Sequence, residues 1–145
     1  MVFPLSPSDS MIVDEYGTEP VPAGVTARIL VVDDEEMVRG ILADLLISGG
    51  YHVLTAADGE NALRVFRRDP EAVDLVLMDM TMPRMNGLDA FLEMKKLKPA
   101  VRVMILSGHS AEGTAHELRR HGIRGVLQKP ITGRSLLEAV SAALS

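Results

Sequence analysis

From Ala27 onward, short runs of Val, Ile and Leu alternate five times with longer segments whose apolar residues recur at helical spacing. No other feature of the chain restricts its fold so tightly. Runs that are continuously apolar, rather than alternately apolar and polar, belong to strands buried on both faces. Strands of that kind, each followed by a helix, assemble into a parallel sheet with helices on either side. The expected architecture is a single α/β domain on a doubly wound, five-stranded parallel sheet.

Local chemistry places the boundaries. The first run, residues 29–32, ends in Asp33-Asp34 and leads into a helix carrying Met37, Ile41, Leu42, Leu45 and Leu46, which Gly49-Gly50 stops. A second strand, 51–56, precedes Asp58 as N-cap of a helix with Ala62, Leu63, Val65 and Phe66, ending near Asp69-Pro70. The third strand, 73–78, finishes at Asp79. A loop through Pro83 and Gly87 gives way to a helix over 88–97 with Leu88, Phe91, Leu92 and Leu97 on one side, broken by Pro99. The fourth strand is 101–106. Ser107-Gly108 then opens a weaker helical stretch to His121, where Gly113 costs about 1 kcal/mol relative to Ala. This helix is expected to be the most mobile. The last strand, 125–128, meets Lys129-Pro130, and Thr132 caps a closing helix with Leu136, Leu137, Val140 and Ala143.

Residues 1–26 break the alternation. Pro4, Pro7, Pro20 and Pro22 lie there among Ser, Asp, Glu and Gly without a sustained period, so the segment reads as a flexible linker or leader before a domain over 27–145. At 145 residues and 47% apolar content, the chain has material for one core. It contains no cysteine, which excludes disulfides and thiolate metal sites and makes a cytoplasmic protein the simpler expectation. Four of the 20 acidic residues, Asp9, Asp14, Glu15 and Glu19, fall in the leader, leaving 16 against 15 bases in the body. A near-neutral body argues against nucleic-acid binding through this chain. The apolar runs are too short to insert in a membrane, and the N-terminus lacks signal-peptide features.

In doubly wound sheets the functional crevice lies outside the carboxyl ends of the strands, where the strand order reverses. The first strand ends in Asp33-Asp34, the third in Asp79, the fourth in Ser107 and the fifth in Lys129. Singly, each has an ordinary role, because Asp caps helices, Ser starts them and Lys is solvated. Capping does not require two adjacent carboxylates after one strand and a third after its neighbour. Three such carboxylates repel unless a cation joins them, and an oxygen-only set selects a hard ion, with Mg²⁺ the default and Ca²⁺ usually demanding more protein ligands. A Ser hydroxyl and a Lys ammonium then suit phosphoryl oxygens, and a carboxylate such as Asp79 can act as nucleophile to give an aspartyl-phosphate.

These pieces together resemble the receiver domain of two-component response regulators, across essentially all of residues 27–145. The resemblance is carried by Ile-Leu-Val-Val-Asp-Asp-Glu (29–35), Ala-Asp-Gly-Glu-Asn-Ala-Leu (57–63), Asp-Leu-Val-Leu-Met-Asp-Met-Thr-Met-Pro-Arg-Met-Asn-Gly (74–87), Leu-Ser-Gly (106–108) and Leu-Gln-Lys-Pro (127–130). It implies the flavodoxin-like strand order 2-1-3-4-5. It also implies that Asp79 is phosphorylated, that Asp34 and Asp79 ligate Mg²⁺ directly and Asp33 mainly through water, and that the Thr81 carbonyl completes the protein ligands. Ser107 would be the switch hydroxyl and Lys129 the phosphate-binding lysine, followed by a cis bond to Pro130. The implied partner is a histidine kinase or histidine phosphotransferase, and the implied state a monomer or weak dimer. Such a domain is not a turnover enzyme; it catalyses its own phosphorylation, loses the phosphate slowly, and switches a surface near the fourth helix and fifth strand.

One departure bears on that switch. Receivers of this kind often place Tyr or Phe three residues before the lysine, and Phe soon after it, where this chain has Val126 and Ile131. Output is therefore expected to rely on repacking around Gly113 and the fourth helix. Val2-Phe3-Pro4-Leu5 resembles the exit from a kinase ATP-binding domain, and Ser-Gly-His and Leu-Gln-Lys-Pro resemble receivers at the C-termini of hybrid sensor kinases; a stand-alone receiver remains the alternative. His52, His109, His116 and His121 have no phosphodonor setting, although His109 is placed to tune water access. The nine methionines read as packing residues. The main rival class, haloacid-dehalogenase-like phosphatases, carries an acid/base Asp two residues after the nucleophile, where this chain has Thr81, and its nucleophile ends the first strand. A second rival is a receiver-like interaction module that takes no phosphate. A dinucleotide-binding domain lacks its Gly-x-Gly-x-x-Gly.

Overall fold

A computed structural model describes residues 27–80, 82, 85–108 and 112–145, with side chains undescribed at 112–115. The elements are β1 (Arg28–Val32), α1 (Glu36–Ser48), β2 (His52–Ala56), α2 (Gly59–Arg68), a 3-10 turn (Pro70–Ala72), β3 (Leu75–Asp79), α3 (Gly87–Leu97), β4 (Val103–Ser107), α4 (Glu112–Arg120), β5 (Gly125–Gln128) and α5 (Gly133–Leu144). All strand pairs are parallel and the order is β2-β1-β3-β4-β5, the doubly wound, flavodoxin-like arrangement expected.

Strand alternation divides the core into two layers. Leu30, Val32, Val76, Met78, Val103 and Ile105 face α2, α3 and Leu118 of α4, around Phe66 and Phe91. Their neighbours Ile29, Val31, Leu75, Leu77, Met104 and Leu106 face α1 and α5, through Leu42, Leu46, Leu136 and Val140. Because adjacent residues of a strand point to opposite faces, a continuous apolar run supplies both layers at once. Thr132 caps α5 through a reciprocal box with Ser135, and Asp58 caps α2 by accepting from the Asn61 N–H at 2.8 Å.

The expectation of strands buried on both faces holds for β1, β3 and β4. It fails at the sheet edges, where His52, Leu54 and Thr55 of β2 are exposed and β5 is at most half-buried, since an edge strand has a neighbour on one side only. Two helix faces also differ. On α1, Leu42 and Leu46 are buried while Met37 and Ile41 are 77% and 53% exposed. On α3, Ala90, Phe91 and Met94 turn inward while Leu97 is exposed. Apolar character at helical spacing marks a stripe wider than the face that the sheet covers. Val126 packs half-buried against the α2–α3 layer and Ile131 half-buried against the α1–α5 layer. The leader 1–26, Thr81 and His109 lie outside the described residues, as do the side chains around Gly113. Among the described residues, no helix is long and apolar enough to cross a membrane.

Candidate functional site

In a 2-1-3-4-5 sheet the chain leaves β1 in one direction and later returns to pair β3 on its other side, so the crevice opens at the carboxyl ends of these two strands. Asp33 and Asp34 follow β1 directly and Asp79 is the last residue of β3. Carboxylate oxygens of all three lie within 4.8 Å of one another. Asp33 and Asp79 are buried and Asp34 is exposed.

Register brings in the remaining groups. Asp79 pairs with Leu106, so Ser107 sits one position further along β4; Ser107 in turn pairs with Gln128, which places Lys129 just beyond. The Lys129 N–H donates to the Ser107 carbonyl at 2.8 Å, and the Lys129–Pro130 bond is cis. Its Nζ reaches Asp33 Oδ2 and Asp79 Oδ1, each at 3.4 Å. The Ser107 hydroxyl is buried and donates to the Gly108 carbonyl at 3.2 Å. Asp33, Asp34, Asp79, Ser107 and Lys129 therefore converge on one rim, as their strand-end positions suggest.

The charges do not balance. Burial, and next the Asp33 carboxylate, push the Asp79 pKa up, with a smaller upward push from Asp34, although Lys129 pulls it down. Burial acts to lower the Lys129 pKa, and attraction to Asp79 and Asp33 outweighs it, leaving the ammonium above its ordinary value. One ammonium thus leaves Asp79 under-compensated. Three mutually close carboxylates, with oxygen as the only donor type, fit a hard divalent cation such as Mg²⁺.

Two supports are absent from the strand-end pattern. Gly87, the first residue of α3, lies so close to β3 that a Cβ there would stand 2.8 Å from the Asp79 carbonyl oxygen and 3.2 Å from Met80 Cα. Arg39 Nη1 donates to the Asp33 carbonyl at 2.8 Å. The sequence carries one signal for Arg39: a base in the first turns of a helix opposes the macrodipole, which suggests a specific acceptor nearby.

Comparison with known proteins agrees with this arrangement. The transcriptional regulatory protein GlrR of Escherichia coli (strain K12) is 37% identical over 118 residues, covering 81% of this chain and 26% of GlrR. The autoinducer 1 sensor kinase/phosphatase LuxN of Vibrio harveyi is 40% identical over 108 residues, covering 74% of this chain and 12% of LuxN. The chain therefore spans about a quarter or less of these two relatives. Among solved structures, a chain of the CheX–CheY–BeF3–Mg complex of Borrelia burgdorferi superposes with a TM-score of 0.80 at 26% identity, covering 84% of this chain and 92% of that one. The family description "Response regulator receiver domain" matches residues 29–141. With its parallel sheet, acidic rim and lysine in register, the chain belongs to the response regulator receiver domain family.

Proposed function

We propose that Asp79 accepts a phosphoryl group from a phosphohistidine on a histidine kinase or histidine phosphotransferase, in a Mg²⁺-dependent reaction. The observation carrying this reading is the convergence of Asp33, Asp34 and Asp79 within 4.8 Å, with Lys129 Nζ held 3.4 Å from two of them. Bound by Asp33, Asp34 and Asp79, with the Thr81 carbonyl as a further ligand, Mg²⁺ would supply positive charge to the phosphoryl oxygens and to the carboxylates. An Asp79 carboxylate oxygen attacks phosphorus, the new P–O bond forms as the P–N bond breaks, and the imidazole nitrogen leaves with the electron pair and takes up a proton. Lys129 then exchanges its carboxylate partners for a phosphoryl oxygen. The Ser107 hydroxyl, one strand position beyond the level of Asp79, turns from the Gly108 carbonyl to a second oxygen. That turn couples the phosphate to the surface at α4 and β5.

The BeF3 and Mg in the similar Borrelia complex support the same chemistry here. Likeness to the sensor kinase LuxN supports a receiver joined to a kinase, with residues 1–26 as linker to a domain over 27–145. Acetyl phosphate with Mg²⁺ should add one phosphoryl group, read by intact mass, and Asp79→Asn should abolish it. Unchanged labelling of Asp79→Asn would move the acceptor elsewhere. Sustained turnover of phosphomonoesters would favour a phosphatase, and no labelling of the parent an interaction module.

A further inference from the structure

Asp33 and Asp34 are adjacent in sequence and opposite in restraint. Each polar atom of Asp33 has a partner of its own: its N–H donates to the Ala56 carbonyl at 3.2 Å, Oδ1 accepts from the Glu35 N–H at 2.9 Å, Oδ2 faces Lys129 Nζ at 3.4 Å, and its carbonyl accepts from Arg39 Nη1 at 2.8 Å. Asp34 is exposed and makes no hydrogen bond or ion pair among the described residues. Two of the four restraints on Asp33 have backbone partners, the Ala56 carbonyl and the Glu35 N–H, and one comes from a lysine of the site. The fourth, Arg39, is a half-buried side chain of α1 that reaches back across the β1–α1 turn.

A guanidinium so near the positive end of a helix is unfavourable by charge alone. Its backbone N–H closes the first turn of α1 on the Glu35 carbonyl at 2.9 Å, so the backbone and the guanidinium of Arg39 hold the same turn. Among the described residues, Arg39 meets the site at the Asp33 carbonyl.

We propose that Arg39 is a positioning residue: its hydrogen bond to the Asp33 carbonyl fixes the β1–α1 turn, holds the Asp33 carboxylate against the Glu35 N–H, and leaves Asp34 as the freer carboxylate of this adjacent pair to meet a divalent cation. The last clause rests on the Mg²⁺ reading above; the first two do not.

The test uses the full chain with Arg39→Met, which keeps the stem and removes the donor, and Arg39→Lys, which restores one. In the absence of Mg²⁺, the Glu35 amide of Arg39→Met should exchange with solvent about tenfold faster, the factor expected for loss of roughly 1.4 kcal/mol of local restraint. Amides of Leu42 and Leu46 in the same helix should keep the parent rate. On titration with MgCl2 followed by NMR, Arg39→Met should bind about tenfold more weakly, the size usual for groups that orient a ligand from behind. Arg39→Lys should recover most of both changes. An unchanged Glu35 amide overturns the proposal, as does equal acceleration at Leu42 and Leu46, which would make Arg39 a helix stabiliser only. Tighter Mg²⁺ binding in Arg39→Met would show that charge dominates, and also overturns it. A parent that ignores MgCl2 removes the proposed function, while the Glu35 exchange still decides the role of Arg39.

Discussion

Replacing Gly87 by Ala opposes two well-sized effects. At the start of a helix, Gly→Ala ordinarily stabilises by about 0.5–1 kcal/mol, because glycine loses more backbone freedom on folding. At Gly87 the new Cβ would meet the Asp79 carbonyl oxygen at 2.8 Å, Met80 Cα at 3.2 Å and Ile105 Cδ1 at 3.4 Å. Two of these neighbours are backbone at the end of β3, the central strand of the sheet, so relief needs α3 or the Asp79 turn to move by roughly half an ångström. Overpacking of that kind costs about 1–3 kcal/mol, leaving a net loss of roughly 1 kcal/mol. Gly40 is the control: it is exposed in the middle of α1 with nothing within 4 Å of a built Cβ, so Gly40→Ala should gain about 1 kcal/mol. In urea, with a slope of about 2 kcal/mol/M, the midpoint should fall by about 0.5 M for Gly87→Ala and rise by about 0.5 M for Gly40→Ala, with the slope unchanged in both. Gly87→Ala should also take up phosphate from acetyl phosphate about tenfold more slowly, since the displaced turn carries Asp79. A midpoint at or above that of the parent, with unaltered labelling, would refute the close-approach reasoning.

Other perturbations test the charge balance and the core. Asp79 has a raised pKa in the fold, so its ionisation weakens folding once pH rises through that value; Asp79→Asn should therefore shift the urea midpoint upward at neutral pH without Mg²⁺, and a downward shift would contradict the sign. Lys129, also raised, contributes stability that is full below its unfolded pKa near 10.5 and is lost as pH climbs through the folded value; alkaline unfolding of Lys129→Met should lack that step. Chelation with EDTA should stop labelling by acetyl phosphate, and excess MgCl2 should restore it. Phe66 and Phe91 are buried on opposite helices of one layer, so either one changed to Ala should cost about 3–5 kcal/mol in calorimetry or urea, whereas Thr132→Ala should cost about 1 kcal/mol through its cap.

Much of this protein is written in its linear order. The continuous apolar runs dictate a sheet covered on both sides, and Asp58 and Thr132 mark helix starts because a side-chain oxygen there can satisfy an orphan N–H. The rim residues Asp33, Asp34, Asp79, Ser107 and Lys129 are legible for a related reason: in a parallel sheet every strand delivers its last residue to the same edge. Packing decided the rest. Met37, Ile41 and Leu97 share the periodicity of the core residues and end up in water, because the width of the apolar stripe is local while the width of the covering sheet is not. Gly87 owes its identity to a strand eight residues earlier, and Arg39 to a carbonyl across a turn, contacts that exist only once α3 packs on β3 and α1 folds back on the end of β1. The unequal restraint of Asp33 and Asp34 has the same origin. Sequence sets them side by side as identical carboxylates, and the neighbours that fix one and leave the other free arrive from β2, α1 and the end of β5.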